Sequence, residues 1–165
     1  MHYFLALIST QLYRCVVVPP FDDDGLLPPG IHVVSWSEIV EHFGWNGWRR
    51  ELVAGLREAL VSLAVAGCKR VYVDGSFVTA KQYPGDFDAC WEERGIDPAQ
   101  LDPVLLTFDD GRRAQKAKFR GELFPASVAA DINGSPFVCF FQVDRDTGRQ
   151  KGIVALDLNL AELVR

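Results

Sequence analysis

The segment from Lys69 to Trp91 constrains this chain more than any other. It reads as a strand, Lys69 to Asp74, then a Gly75-Ser76 turn and a second strand, Asp86 to Trp91. Nine residues separate Ser76 from Asp86. Side chains alternate faces along a strand, so Asp86 and Asp88 share one face while Phe87 points into packing. Two carboxylates so close repel each other unless a cation lies between them. Hard oxygen ligands of this kind suit Mg²⁺, which is commonly held by one or two carboxylates together with substrate phosphates. A Gly-Ser turn just ahead of them offers backbone N–H groups and a hydroxyl to phosphate oxygens.

The remaining pattern is that of one domain. The chain has 165 residues and 48% hydrophobic content, enough for a single core. We divide it into an N-terminal apolar segment and loop, 1–30, and a single domain, 31–165. Residues 1–18 lack a basic start and a small-residue cleavage site, and Ser9, Thr10, Gln11 and Arg14 interrupt them. They read as a strand or helix on the core, or as sequence upstream of the native start. Residues 19–30 (PPFDDDGLLPPG) read as a surface loop, with Asp22 to Asp24 solvated. Ser35 or Ser37 caps a short helix through His42, with Glu38 three residues after Ser35 as in a capping box. Asn46 caps a longer helix to about Ala66, with Leu52, Leu56, Ala59, Leu60 and Leu63 at helical spacing and Gly67 as the stop. Trp36, Phe43, Trp45 and Trp48 read as core. Asp97-Pro98 opens a helical turn, and residues 111–120 form a basic helix. Phe137 to Val143 and Ile153 to Leu158 read as strands of a hairpin closed by the polar link 144–152. The sum is an α+β fold: a mixed sheet with helices mainly on one face.

Charge narrows the function classes. A net charge of −5 argues against a broad duplex-DNA surface. No segment reads as a membrane span. The cysteines at 15, 68, 90 and 139 have neither C-x-x-C spacing nor a histidine cluster, so they read as buried free thiols of a reducing, cytoplasmic compartment. His2, His32 and His42 show no ligand spacing and read as structural. Ser76 has no nucleophile elbow or histidine partner, so a phosphate contact is its expected role.

Hydroxyl activation between metal ions calls for a further anionic group. Asp157, a lone acid inside the apolar Ile153–Leu158 run, is the candidate, because a buried charge there needs a partner. The competing reading is a strand-end Asp capping the turn at Asn159 or a short helix from Leu160 to Val164.

Gly75-Ser76-Phe77, the spacing to Gly85-Asp86-Phe87-Asp88, and the late Ala155-Leu156-Asp157-Leu158 together resemble the palm of the polymerase-beta-type nucleotidyltransferase superfamily. The likeness covers roughly residues 46–160. It implies that Gly75 and Ser76 hold the terminal phosphates of an NTP. Asp86 and Asp88 would bridge two Mg²⁺ ions, and Asp157 would ligate the catalytic ion and help deprotonate an acceptor hydroxyl. The chain departs from polymerases of this group in continuing Gly-Ser-Phe with Val78, Thr79 and Ala80, without a phosphate-gripping arginine. Lys81, or a basic residue of the 112–120 run such as Arg112 or Lys116, is the expected substitute; a solvated helix face competes for that run. The implied reaction is transfer of a nucleoside monophosphate to a hydroxyl on a protein, a small molecule or an RNA end. A non-catalytic module of a toxin–antitoxin or phage-defence system is the alternative. A nuclease is disfavoured, having no need of a triphosphate cradle. A homodimer would suit a domain whose acceptor side is open.

Overall fold

A computed structural model describes residues 18–165. The expectations for residues 1–17, including those for Cys15 and His2, lie outside the described residues. The fold is α+β. Its centre is a five-stranded mixed sheet in the order β1-β5-β2-β3-β4. The strands are β1 Gly30–Val33, β2 Arg70–Asp74, β3 Phe87–Trp91, β4 Gly121–Pro125 and β5 Gly152–Asp157. β2 runs antiparallel to both β3 and β5, while β1 is parallel to β5 and β4 parallel to β3.

Alternation sorts the strand residues onto two faces. Val71, Val73, Ala89, Trp91, Leu123, Val154 and Leu156 face the main core. That face is covered by α1 Trp36–Phe43, α2 Gly47–Val65, α3 Arg113–Phe119 and α5 Leu160–Leu163. α1 begins with the expected capping box between Ser35 and Glu38. The Asn46 side chain caps α2, and Leu52, Leu56, Ala59, Leu60 and Leu63 are buried as their spacing predicts. Gly55 lets α2 touch the end of α3: a Cβ there would stand 2.0 Å from the Phe119 carbonyl oxygen.

The aromatic cluster divides. Phe43 is buried, but Trp45 and Trp48 are exposed. Each of these two tryptophans serves the loop after β2. Trp48 donates its indole N–H to the Pro84 carbonyl (2.6 Å), and Trp45 lies against the guanidinium of Arg49 (3.6 Å). Arg49 is wholly buried and has no carboxylate partner among the described residues. Its guanidinium donates to the carbonyls of Phe43, Phe77, Thr79 and Lys81 (2.8–3.2 Å). Burial lowers its pKa to about 10. It ties the start of α2 to the chain leaving the Gly-Ser turn.

The opposite face is covered differently. Between β4 and β5 the chain makes an excursion over residues 126–151 that carries α4 Phe137–Phe140. The strand expected over Phe137–Val143 is therefore a helical turn, and the expected hairpin is absent. Phe137, Phe140 and Phe141 recur at helical spacing, and a short apolar run does not declare its period. Pro136, which cannot donate to a strand ladder, stands at the N-cap. Phe141 packs with Cys90, Ala126 and Ile153, and Phe137 stacks on Phe124 of β4 (4.0 Å, 12°). Asp97-Pro98 opens a single turn as expected, with the Asp97 carboxylate accepting from the Ala99 N–H (3.0 Å).

Candidate functional site

The second sheet face carries Tyr72 and Asp74 from β2, Asp88 and Cys90 from β3, and Glu122 and Phe124 from β4. Register places three of these acids in one row. Asp74 is the cross-strand partner of Asp88, and Asp88 that of Glu122. The row forms the floor of a cleft of about 1160 Å³, with Gly75 and Ser76 at one end and the 126–151 excursion as its far wall. Gly75 has φ +80°, and a Cβ there would meet Asp88 Oδ2 at 2.5 Å, so only glycine lets the turn lie against that carboxylate. Ser76 to Val78 continue as a single 3₁₀ turn, steadied by the Thr79 hydroxyl donating to the Ser76 carbonyl (2.8 Å).

Each acid has its own environment. Asp74 is buried and paired with Lys151, itself nearly buried. Burial still pushes its carboxyl above the ordinary range, against the pull of Lys151. Glu122 accepts from Arg112 Nε (2.9 Å) and Lys116 Nζ (2.6 Å). Lys116 also reaches Asp86 Oδ2 (3.1 Å) and so bridges β3 to β4. Asp88 forms no ion pair among the described residues. Its pKa is pushed up to about 7, first by burial and then by the charges of Asp86, Asp74 and Glu122. Asp86 itself lines a smaller hollow of about 180 Å³ beside the cleft, with Trp48, Lys116 and Arg120.

The predicted site residues thus separate into groups. Gly75, Ser76 and Asp88 line the cleft, as does Arg112, while Asp86 and Lys116 line the smaller hollow instead, Asp86 standing just before β3 rather than within it as expected. Lys81 is exposed and does not line the cleft, because Arg49 holds its carbonyl on the side of α2. Asp157 requires a larger correction. It pairs in register with Arg70, at the far end of β2 from Asp74. Four residue steps separate those positions, roughly 13 Å along a strand. Asp157 is exposed and receives a hydrogen bond from Arg70 Nε (2.6 Å), so it is a strand-end ion pair and not a partner of Asp86 and Asp88. Glu122 stands where that third acid was sought. Its signal was the same one that singled out Asp157, a lone acid in a short apolar strand, Gly121-Glu122-Leu123-Phe124.

The basic run 112–120 is not an open cationic surface. Arg113 pairs with Asp110, Lys118 with Asp102 and Arg120 with Glu51, besides the pairs already named. Among the described residues no group of three or more His, Cys, Asp or Glu side chains is arranged to hold a metal ion as it stands. Arg112, Lys116 and Lys151 neutralise the acids instead. The donor chemistry of the row, three carboxylates with one lacking a cation, nevertheless suits a hard divalent ion. The thiols of Cys68 and Cys90 are free and buried as expected, but that of Cys139 is exposed, because the segment expected as a strand is a helical turn that carries Cys139 on its open side. None of the described helices is long and apolar enough to cross a membrane. No curated protein and no solved structure matches the chain. Residues 19–157, most of its length, match a family described as of unknown function (DUF6932), and the chain belongs to that family.

Proposed function

We propose that this chain is a Mg²⁺-dependent nucleotidyltransferase that moves a nucleoside monophosphate from an NTP to a hydroxyl. The observation that carries the reading is the Asp74–Asp88–Glu122 row lying beside the Gly75-Ser76 turn on the floor of one cleft. The reading keeps Asp86 and Asp88 in the site and replaces Asp157 by Glu122. Asp88, with Asp86 and Glu122 beside it, would hold the ions. When bound, Mg²⁺ supplies charge neutralisation for the phosphates and lowers the pKa of a coordinated hydroxyl. Gly75 admits the polyphosphate close to the backbone, and the Ser76 hydroxyl donates to a phosphate oxygen. A carboxylate of the row accepts the proton as the acceptor oxygen attacks the α-phosphorus. The bond from that phosphorus to the β-bridging oxygen breaks, and pyrophosphate leaves.

The acceptor is a hydroxyl of a protein, a small molecule or an RNA end. Full pairing of the 112–120 cations makes the RNA end the least favoured of the three. Buried free thiols agree with a cytoplasmic setting. A second reading, a binding module without catalysis, draws on the ion pairs that already satisfy Asp74, Asp86 and Glu122 without metal. Incubation with each α-labelled NTP, Mg²⁺ and cell extract separates them. Labelled product that disappears in Asp88→Asn supports the enzyme. Retention of a protein partner by Asp88→Asn, with no product from wild type, supports the module.

A further inference from the structure

Among the described residues three cationic side chains line the cleft: Arg112, Lys151 and Arg145. Two are committed. Arg112 is bonded to Glu122 and lies over the Phe124 ring (5.2 Å). Lys151 is buried against Asp74. Arg145 is exposed and forms no ion pair among the described residues. Burial, and at Asp88 also the neighbouring acids, pushes the Asp74 and Asp88 carboxyls up, and the Arg145 charge is a small offset to that rise.

The turn that carries Arg145 is built to present it. The Asp144 carboxylate accepts from the Thr147 N–H (2.9 Å) and hydroxyl (2.6 Å), so that acid is spent within the turn. The Gly148 N–H donates to the Asp144 carbonyl (2.8 Å), the Asp144 N–H donates to the Arg149 carbonyl (2.8 Å), and Val143 bridges Gln150. Arg149 is anchored to Asp24 in the loop before β1. Asp146 also borders the cleft but forms no ion pair with its neighbour. Asp144 and Arg149 are therefore used to fix the turn, and Arg145, next to the exposed Asp146, is left lining a cleft whose floor is acidic.

A polyphosphate entering such a cleft meets repulsion unless a cation offsets it. The Gly-Ser turn has no arginine of its own, and Lys81 does not line the cleft. We propose that Arg145 is the polyphosphate-binding residue of this cleft, reaching an anionic ligand from the wall opposite Gly75 and Ser76. The inference rests on the nucleotidyltransferase reading for the identity of the ligand, an NTP, and on the cleft alone for its charge.

Calorimetry with tripolyphosphate, ATP–Mg²⁺ and adenosine tests it, using wild type, Arg145→Gln and Arg145→Lys. Arg145 is exposed, so all three proteins should melt alike. The expected result is that Arg145→Gln weakens tripolyphosphate and ATP about tenfold, the loss of one charge-assisted contact. Arg145→Lys should restore part of it, since a point charge replaces a planar fork. Any adenosine affinity should not change. Equal tripolyphosphate affinity for wild type and Arg145→Gln would overturn the assignment while leaving the nucleotidyltransferase reading intact. Failure of wild type to bind either polyphosphate would overturn both.

Discussion

At the carboxylate of Asp88, burial and three neighbouring acids act in the same direction. The group titrates near 3.8 in an unfolded chain and at about 7 in the folded one. Between those values the folded state holds a proton that the unfolded state has lost. Stability of the metal-free protein therefore falls as pH rises from about 4 to about 7, and this contribution is level on either side. The cost at neutral pH is on the order of 2–4 kcal/mol. Asp88→Asn removes the charge and keeps the shape. It should raise the melting temperature by roughly 5 °C at pH 8 and leave it unchanged at pH 4. The same substitution should abolish Mg²⁺-dependent NTP binding, since stability and site chemistry oppose each other here. A scan of melting temperature against pH in chelator checks this, and an unchanged melting temperature at pH 8 would show that Asp88 is not strained by its neighbours.

The helices were readable in the sequence because local chemistry specifies them. Ser35, Glu38 and Asn46 satisfy the first backbone N–H groups of α1 and α2 through their own side chains, which needs no knowledge of the rest of the fold. The excursion 126–151 was not readable, because Phe137, Phe140 and Phe141 are placed by long-range contacts with Phe124, Cys90 and Ile153. β1 and β4 were missed for a related reason. Each is a short strand defined by a parallel neighbour distant in sequence, β5 and β3 respectively. Gly55 shows how docking overrides helix propensity. Alanine there gains about 1 kcal/mol as an isolated helix residue. The new Cβ, however, would stand 2.0 Å from the Phe119 carbonyl oxygen, so α2 and α3 must separate. Gly55→Ala should therefore lower stability by about 2 kcal/mol or more, measured by urea unfolding followed by circular dichroism. A stabilised variant would mean that the two helices are loosely docked.

Across the whole molecule, what the sequence leaves open is position along a strand. Period-two alternation says which face a side chain takes, and it placed Asp88 correctly beside the Gly-Ser turn. It does not say which end of a neighbouring strand lies opposite, and that decides whether a lone acid belongs to a site. β5 runs antiparallel to β2, so its entry at Lys151–Gly152 lies by the cleft and its exit at Asp157 lies at the other end. β4 runs parallel to β3, which brings Glu122 level with Asp88. Two conservative substitutions distinguish these positions. Asp157→Asn removes an exposed ion pair with Arg70 and should cost less than about 1 kcal/mol, with NTP–Mg²⁺ affinity unchanged. Glu122→Gln takes a charge from beside Asp88 and weakens the hold on Arg112 and Lys116. It should reduce NTP–Mg²⁺ affinity at least tenfold, with the melting temperature recorded alongside to exclude unfolding. If Asp157→Asn abolishes binding and Glu122→Gln preserves it, the row on β2, β3 and β4 is structural, and the chemistry lies at the opposite end of the sheet.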